Sequence, residues 1–101
     1  MSDPTHRDHP VADYVTAIGE HGQLIDVREP TEVAAGTLPG AINIPLGELP
    51  QRLHELDRSR TVVLLCRSGG RSGKAAEFLV TEGFDDVVNL SGGMLAYAEH
   101  D

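Results

Sequence analysis

The sequence predicts an α/β domain in which a mostly parallel central sheet of about four to five strands is flanked by helices on both faces. Short apolar runs alternate along the chain with segments of helical periodicity, as parallel βαβ units require. The run Thr61–Leu65 does not alternate between polar and apolar residues, so both of its faces should be buried, as in a parallel sheet. With 101 residues, 40% of them hydrophobic, the chain suits a single domain.

The first half of the chain predicts three helices and two strands. Residues 1–10 are polar and are expected to form a flexible lead-in, so that the single domain spans residues 11–101. Val11, Val15 and Ile18 recur at helical spacing and predict a helix over Pro10–Glu20. The elements expected next are a strand over Leu24–Val27, a helix over Thr31–Ala35, a turn at Leu38–Gly40, a strand over Ala41–Ile44 and a helix over Glu48–Leu56.

The second half of the chain carries the most regular patterns. Ala75, Ala76, Leu79 and Val80 form an apolar stripe at helical spacing. The predicted elements are a strand over Thr61–Leu65, a tight loop over Arg67–Gly70, a helix over Arg71–Glu82, a strand over Val87–Leu90, a turn at Ser91–Gly93 and a helix over Met94–Glu99. Because ligands bind beyond the carboxyl ends of parallel strands, the loop that follows Leu65 is the expected place for a site.

Charge and cysteine content argue against several classes of protein. The net charge of −8 argues against nucleic acid and anionic membranes as partners, because binding phosphates requires clustered Lys and Arg. One cysteine cannot form an internal disulfide, no segment resembles a signal peptide, and no apolar run approaches the roughly 20 residues of a membrane helix. We therefore expect a cytoplasmic protein, and a monomer, since no long exposed apolar stripe is evident.

The segment Cys66–Ser72, with the sequence CRSGGRS, is the most informative stretch. Its two glycines, Gly69 and Gly70, allow backbone conformations that other residues avoid, and the loop leads into a predicted helix. Such a turn directs several backbone N–H groups at one point and makes an anion site. The Cys66 sulfur would be that anion, since the helix N-terminus and the charges of Arg67 and Arg71 favour a thiolate.

A lone cysteine is more often a buried small hydrophobic residue than a reactive one. In this sequence the glycine loop, the two arginines and the position between strand and helix reverse that expectation, because reactive thiolates occur in such electropositive sites. We therefore predict that Cys66 is a nucleophile and that Arg67, Ser68, Gly69, Gly70, Arg71 and Ser72 form its binding loop.

The segment Cys66–Ser72 resembles the active-site loop of rhodanese domains, and three further motifs resemble the same family. The resemblance covers nearly the whole chain from about Val11, although Thr37 and Tyr97 stand where the family often has His and Trp. The three motifs are Ile25–Glu29, Gly36–Pro45, and Gly83-Phe84 followed by Asn89–Gly93.

This resemblance implies a sulfurtransferase that works by ping-pong transfer. Cys66 would take sulfur from a small anionic donor such as thiosulfate, hold it as a persulfide and pass it to cyanide or a thiol. The thiol could belong to a thioredoxin-like or a sulfur-carrier protein. No cofactor and no metal are expected. Asp26 and Arg28, at the end of a strand on the same predicted sheet edge, are expected to support the site rather than to catalyse.

Other interpretations of the same residues fit less well. Phosphatases and arsenate reductases that resemble this arrangement place five residues between cysteine and arginine, whereas four separate Cys66 from Arg71. A nucleotide P-loop would need Ser or Thr where Ala75 stands and Gly where Ser68 stands. The histidines are scattered and are interpreted as solvated surface residues rather than metal ligands, at positions His6, His9, His21, His54 and His100.

The non-enzymatic alternative is a sulfur carrier or protein-binding module with the same fold. Such a module would use the loop for one dedicated partner and would turn over slowly with free small substrates. Fold alone does not decide between the two, although the intact Cys66 disfavours an inactive scaffold.

Overall fold

The computed structural model describes residues 6–99, and its centre is a sheet of five parallel strands. The strands lie in the order β1-β5-β4-β2-β3, so that β4 is the middle strand and pairs with both β2 and β5. This confirms the predicted α/β class and the parallel sheet. The strands are β1 (Arg7–Pro10), β2 (Gln23–Asp26), β3 (Ile42–Asn43), β4 (Val62–Leu65) and β5 (Val87–Ser91).

Within residues 6–99, four α-helices and three short 3-10 helices flank the strands. The longest helix follows β4 and begins directly after the glycine loop. The α-helices are α1 (Tyr14–Ile18), α2 (Pro30–Ala34), α3 (Gly70–Thr81) and α4 (Gly93–Glu99), and the 3-10 helices are Val11–Asp13, Leu46–Gln51 and Leu53–Glu55.

The side chains of β4 alternate between two apolar clusters, one on each face of the sheet. Val62 and Leu64 join the cluster that contains Ala75, Ala76 and Leu79 of α3. Val63 and Leu65 join the opposite cluster, to which α1 and α4 contribute partly buried side chains. All four β4 residues are fully buried, and each contributes about 1.5–3 kcal/mol of hydrophobic stabilisation. The strand is therefore a rigid base for the residue that follows it, Cys66.

The predicted lead-in is wrong for its last residues, because Arg7–Pro10 form strand β1 at the edge of the sheet. β1 pairs only with β5, and Asp8 lies in register with Asn89. An edge strand is covered on one side only and therefore does not need the apolar run that marked the inner strands. Pro10, which has no N–H to donate, is tolerated at such an edge. Residues 1–5 of the expected lead-in lie outside the described residues.

Two of the predicted helices are shorter or tighter than expected. The segment expected to be a helix over Pro10–Glu20 begins as a 3-10 helix and becomes α-helical only at Tyr14. Val15 is exposed and not part of an apolar stripe, because three residues per turn shift the phase of the pattern. The segment Glu48–Leu56 lies in two 3-10 helices, since Pro50 cannot donate the hydrogen bond that a continuous α-helix would require.

Helices in the described part of the chain are short. Among residues 6–99, none is long and apolar enough to cross a membrane.

Candidate active site

Cys66 directly follows the buried central strand β4 and opens the loop that leads into α3. Its side chain is 1% exposed, and its Sγ accepts a hydrogen bond of 3.0 Å from the Gly69 amide. Gly69 has φ +103°, a left-handed conformation that glycine adopts without strain, and this turns the loop back over the sulfur. The Gly69 amide is therefore within hydrogen-bonding distance of the sulfur, as one donor of the expected nest would be.

The Cys66 thiol has opposing influences on its pKa. Burial raises the pKa, because it disfavours the charged thiolate. Hydrogen bonds from the Ser72 hydroxyl and from the backbone amides of Ser72, Gly69 and Ser68 lower it, and together they outweigh burial. The resulting pKa lies below the ordinary value of a cysteine, which favours the nucleophilic thiolate.

Arg71 braces the loop and does not point freely at the sulfur. Its guanidinium donates two hydrogen bonds to Glu32 of α2, with Nη1···Oε1 at 2.7 Å and Nη2···Oε2 at 2.8 Å. The bond from Arg71, helped by the Glu29 amide, lowers the pKa of Glu32 to about 2. Arg71 contributes positive potential near Cys66 and also joins α2 to the first turn of α3.

Arg67 lies at the rim of the site and is exposed. It lines an open cavity of about 370 Å³ beside the loop. The rest of the lining is formed by two charged residues and by small or apolar residues after α2 and in α4: Arg28, Glu32, Ala35, Gly36, Met94, Leu95 and Ala98.

The first turn of α4 holds the backbone of the loop in place. The Met94 amide donates to the Cys66 carbonyl at 3.0 Å, and the Leu95 amide donates to the Arg67 carbonyl at 2.9 Å. A Cβ at Gly93 would lie 2.5 Å from the Cys66 carbonyl oxygen, so only glycine permits this close approach.

Asp26 and Arg28 form a buried ion pair at the end of β2. Arg28 Nη2 lies 2.8 Å from Asp26 Oδ2, and the side chains are 7% and 0% exposed. The Thr37 hydroxyl donates to the same Asp26 oxygen at 2.7 Å, and Arg28 also donates to the Gly36 carbonyl. These bonds hold the segment after α2 in place, and that segment forms one wall of the cavity. Thr37, one of the two departures from the family pattern, is thus fully used as a donor to Asp26.

Tyr97, the other departure, packs away from the loop. Its ring meets that of Tyr14 edge to face, with centroids 5.9 Å apart. The contact joins α4 to α1 on the face of the sheet opposite α3.

Sequence reasoning missed Glu32, Asn89 and Asp8 as neighbours of the site. Asn89 is 7% exposed and hydrogen-bonds to Ser72, which in turn lies 3.3 Å from Cys66 Sγ. A polar residue inside the apolar strand Val87–Leu90 was a signal for Asn89. Glu32 and Asp8 gave no local signal, because their partners lie 39 and 81 residues away along the chain.

Comparison with known proteins identifies close relatives. A family model described as "Rhodanese-like domain" matches residues 11–100. A "Sulfurtransferase" of Allochromatium vinosum is 43% identical over 77 residues, which cover 76% of this chain and 72% of the relative. A "Putative sulfur carrier protein" of Bacillus subtilis is 39% identical over 71 residues, covering 70% of this chain and 38% of the relative.

Solved structures share the fold. A rhodanese-like domain protein of Staphylococcus aureus matches with a TM-score of 0.82 and 30% identity, covering 90% of each chain. An NAD-dependent persulfide reductase of A. fulgidus matches with a TM-score of 0.74 and 33% identity, covering 91% of this chain and 16% of the reductase.

Proposed function

The chain belongs to the rhodanese-like sulfurtransferase family, and on that premise we propose that it transfers sulfur through a persulfide on Cys66. The observation that carries the proposal is the position of Cys66. It lies at the end of a buried strand, and its Sγ accepts a hydrogen bond from the Gly69 amide. Under this proposal Cys66 is the nucleophile, and Arg67, Ser68, Gly69, Gly70, Arg71 and Ser72 form the binding loop.

The first half-reaction takes sulfur from thiosulfate. The Cys66 thiolate attacks the outer sulfur of the donor, a new S–S bond forms, and the S–S bond of thiosulfate breaks. Sulfite leaves with the electron pair of that bond, so one negative charge remains on the terminal sulfur of the persulfide. Backbone amides that already point at the sulfur would stabilise this charge without rearrangement, and one such donor is worth about 3–4 kcal/mol of barrier.

The second half-reaction gives the sulfur to an acceptor. Cyanide or a thiolate attacks the outer sulfur of the persulfide, and the S–S bond breaks to return the Cys66 thiolate. Because the chain has no second cysteine, the acceptor must be another molecule. The exposed Arg67 beside the open cavity would attract both the anionic donor and an anionic acceptor.

Asp26 and Arg28 would act as supporting residues under this proposal. Their hydrogen bonds go to each other, to Thr37 and to backbone carbonyls of residues 32 and 36. These contacts brace the cavity wall and favour a structural role over a chemical one.

We also propose that the protein acts as a monomer, in a single domain that spans residues 11–101 together with β1. Static light scattering of the purified chain tests this, and a stable dimer at micromolar concentration would contradict it.

The steady-state kinetics of thiocyanate formation test the proposed reaction. Two separate half-reactions predict parallel lines in double-reciprocal plots when thiosulfate and cyanide are both varied, and Cys66→Ala should abolish turnover. Intersecting lines would contradict a persulfide intermediate.

A second candidate is a dedicated sulfur carrier, and the similarity to a putative sulfur carrier protein of Bacillus subtilis favours it. A carrier would release one equivalent of sulfite rapidly and then turn over slowly with cyanide. It would regain speed with a protein acceptor, such as a thioredoxin-like thiol or a sulfur-carrier protein. An enzyme for small substrates would show no such slowing: with cyanide, its later turnovers would be as fast as the first.

A further inference from the structure

A chain of hydrogen bonds joins the active-site cysteine to Asp8 on the edge strand β1. Ser72 Oγ lies 3.3 Å from Cys66 Sγ and also hydrogen-bonds to Asn89 Oδ1. On its other side, Asn89 Nδ2 donates to Asp8 Oδ1 at 3.0 Å and to the Gly69 carbonyl at 3.4 Å. Ser72 is fully buried and Asn89 is 7% exposed, so the hydroxyl is shielded from water.

The donors and acceptors in this chain can be counted. The carboxylate of Asp8 and the carbonyl of Gly69 can only accept, so they fix the amide nitrogen of Asn89 on their side. The amide oxygen must then face Ser72, where it can only accept. Ser72 has a single hydroxyl proton, which goes to Asn89, and its oxygen presents a lone pair to the Cys66 sulfur.

The Ser72 hydroxyl favours the thiolate only when it donates to the sulfur, and in the orientation that satisfies Asn89 it does not. The S–H of Cys66 can donate to the Ser72 oxygen, whereas an ionised sulfur needs donors. When Cys66 loses its proton, the Ser72 hydroxyl must rotate toward Sγ, and Asn89 Oδ1 loses its donor. A buried polar atom without its partner is costly, so the two states of the hydroxyl compete.

We propose that Asp8 and Asn89 are positioning residues that determine whether the Ser72 proton goes to Asn89 or to Cys66, and so set the cost of forming the thiolate. Two charged or titratable groups face this chain of hydrogen bonds. They are His6, whose Nε2 lies 3.5 Å from Asp8 Oδ1, and Arg71, which forms an ion pair with Glu32. The inference rests on the proposed role of Cys66 as a thiolate but is independent of the sulfur donor and acceptor.

Titration of the Cys66 thiolate by its ultraviolet absorbance tests the inference. Asp8→Ala removes the shorter of the two hydrogen bonds that hold the Asn89 nitrogen and leaves only the one to the Gly69 carbonyl at 3.4 Å. The amide then turns its nitrogen toward Ser72 more readily, and the hydroxyl can donate to the sulfur. We expect the pKa of Cys66 to fall by about half a unit to one unit, the equivalent of one hydrogen bond. Asp85→Ala, which removes a charge from an exposed position, should leave the pKa unchanged.

A double variant separates this mechanism from a simple loss of negative charge. In Ser72→Ala the hydroxyl is absent, so adding Asp8→Ala should no longer lower the pKa. An equal fall in both backgrounds, or no fall in either, would overturn the inference.

A second single variant tests the inference independently, in case Asp8→Ala does not fold. Asn89→Leu removes the acceptor that competes for the Ser72 proton and should lower the pKa in the same direction, again only when Ser72 is present. A rise in the pKa of Asn89→Leu would contradict the proposal. Because the readout is ionisation and not transfer, a failure of the proposed sulfur chemistry would leave this test intact.

Discussion

Arg71 and Glu32 form a two-point ion pair across 39 residues of sequence, with both N···O distances below 3 Å. Glu32 lies in the first turn of α2, where it also completes a capping box with Glu29. Arg71 lies in the first turn of α3. The pair therefore connects the segment that forms the cavity wall to the helix whose N-terminus holds the Cys66 sulfur.

Glu32→Gln should lower stability at neutral pH but not in acid. The side chains are about a third exposed, so we expect a loss of about 0.5–1 kcal/mol in the free energy of unfolding at pH 7. The pKa of Glu32 is about 2 in the folded protein, below its ordinary value of 4.5. The stabilisation is therefore complete above the ordinary value and is lost as pH falls toward 2.

Urea unfolding of both proteins over this pH range measures the effect. The difference between wild type and Glu32→Gln should shrink as the pH is lowered, whereas Glu77→Gln, on the exposed side of α3, should show little difference throughout. A difference that grows in acid would contradict the assignment.

Gly93→Ala should destabilise the loop at its contact with α4. Gly93 has φ +56°, and an added Cβ would clash with the Cys66 and Arg67 carbonyl groups. We expect the free energy of unfolding to fall by about 2–4 kcal/mol. Gly47→Ala is a matched control, because a Cβ there meets nothing within 4 Å, and its thermal unfolding should be nearly unchanged. Equal melting temperatures for the two variants would show that the approach of α4 is not restrictive.

Arg28→Met should be strongly destabilising because it leaves the fully buried Asp26 carboxylate without its counter-charge. Loss of one partner of a buried pair costs about 3–5 kcal/mol. The double variant Asp26→Leu/Arg28→Met should recover most of this loss, as measured by denaturant unfolding. If the double variant were no more stable than Arg28→Met, the pair would matter for something other than charge compensation.

Arg67→Ala should weaken the capture of thiosulfate without slowing the chemical step. An exposed charge acts by attraction, so we expect KM for thiosulfate to rise about two- to tenfold at low ionic strength with little change in kcat. The effect should diminish as salt is added. Lys74→Ala removes the same charge from an exposed position on α3 and should change KM less. A large fall in kcat for Arg67→Ala would instead place the side chain in the transition state.

The inner part of the fold could be predicted because its signals are local. β4 is a continuous apolar run, and the stripe on α3 has a clear helical period, so both elements were predicted within one residue of their bounds. Strand β1 could not be predicted in this way. It is a four-residue polar edge strand, and only its pairing with β5 makes it a strand.

The site was predictable to the extent that it is contiguous in sequence. The loop Cys66–Ser72 carries its own glycines and leads into its own helix, so its shape follows from local geometry. The partners of that loop come from other strands and helices. Asn89, Asp8 and Glu32 are brought to it only by the register of the sheet and by the ion pair between α2 and α3, which no local pattern encodes.

The mass of the intact protein after incubation with thiosulfate tests the central claim most directly. In the absence of reducing agents, the native chain should gain one sulfur atom, cyanide should remove it, and Cys66→Ala should gain nothing. A native chain that gains no sulfur, or a Cys66→Ala variant that gains as much as the native protein, would contradict sulfur transfer from thiosulfate through a persulfide on Cys66.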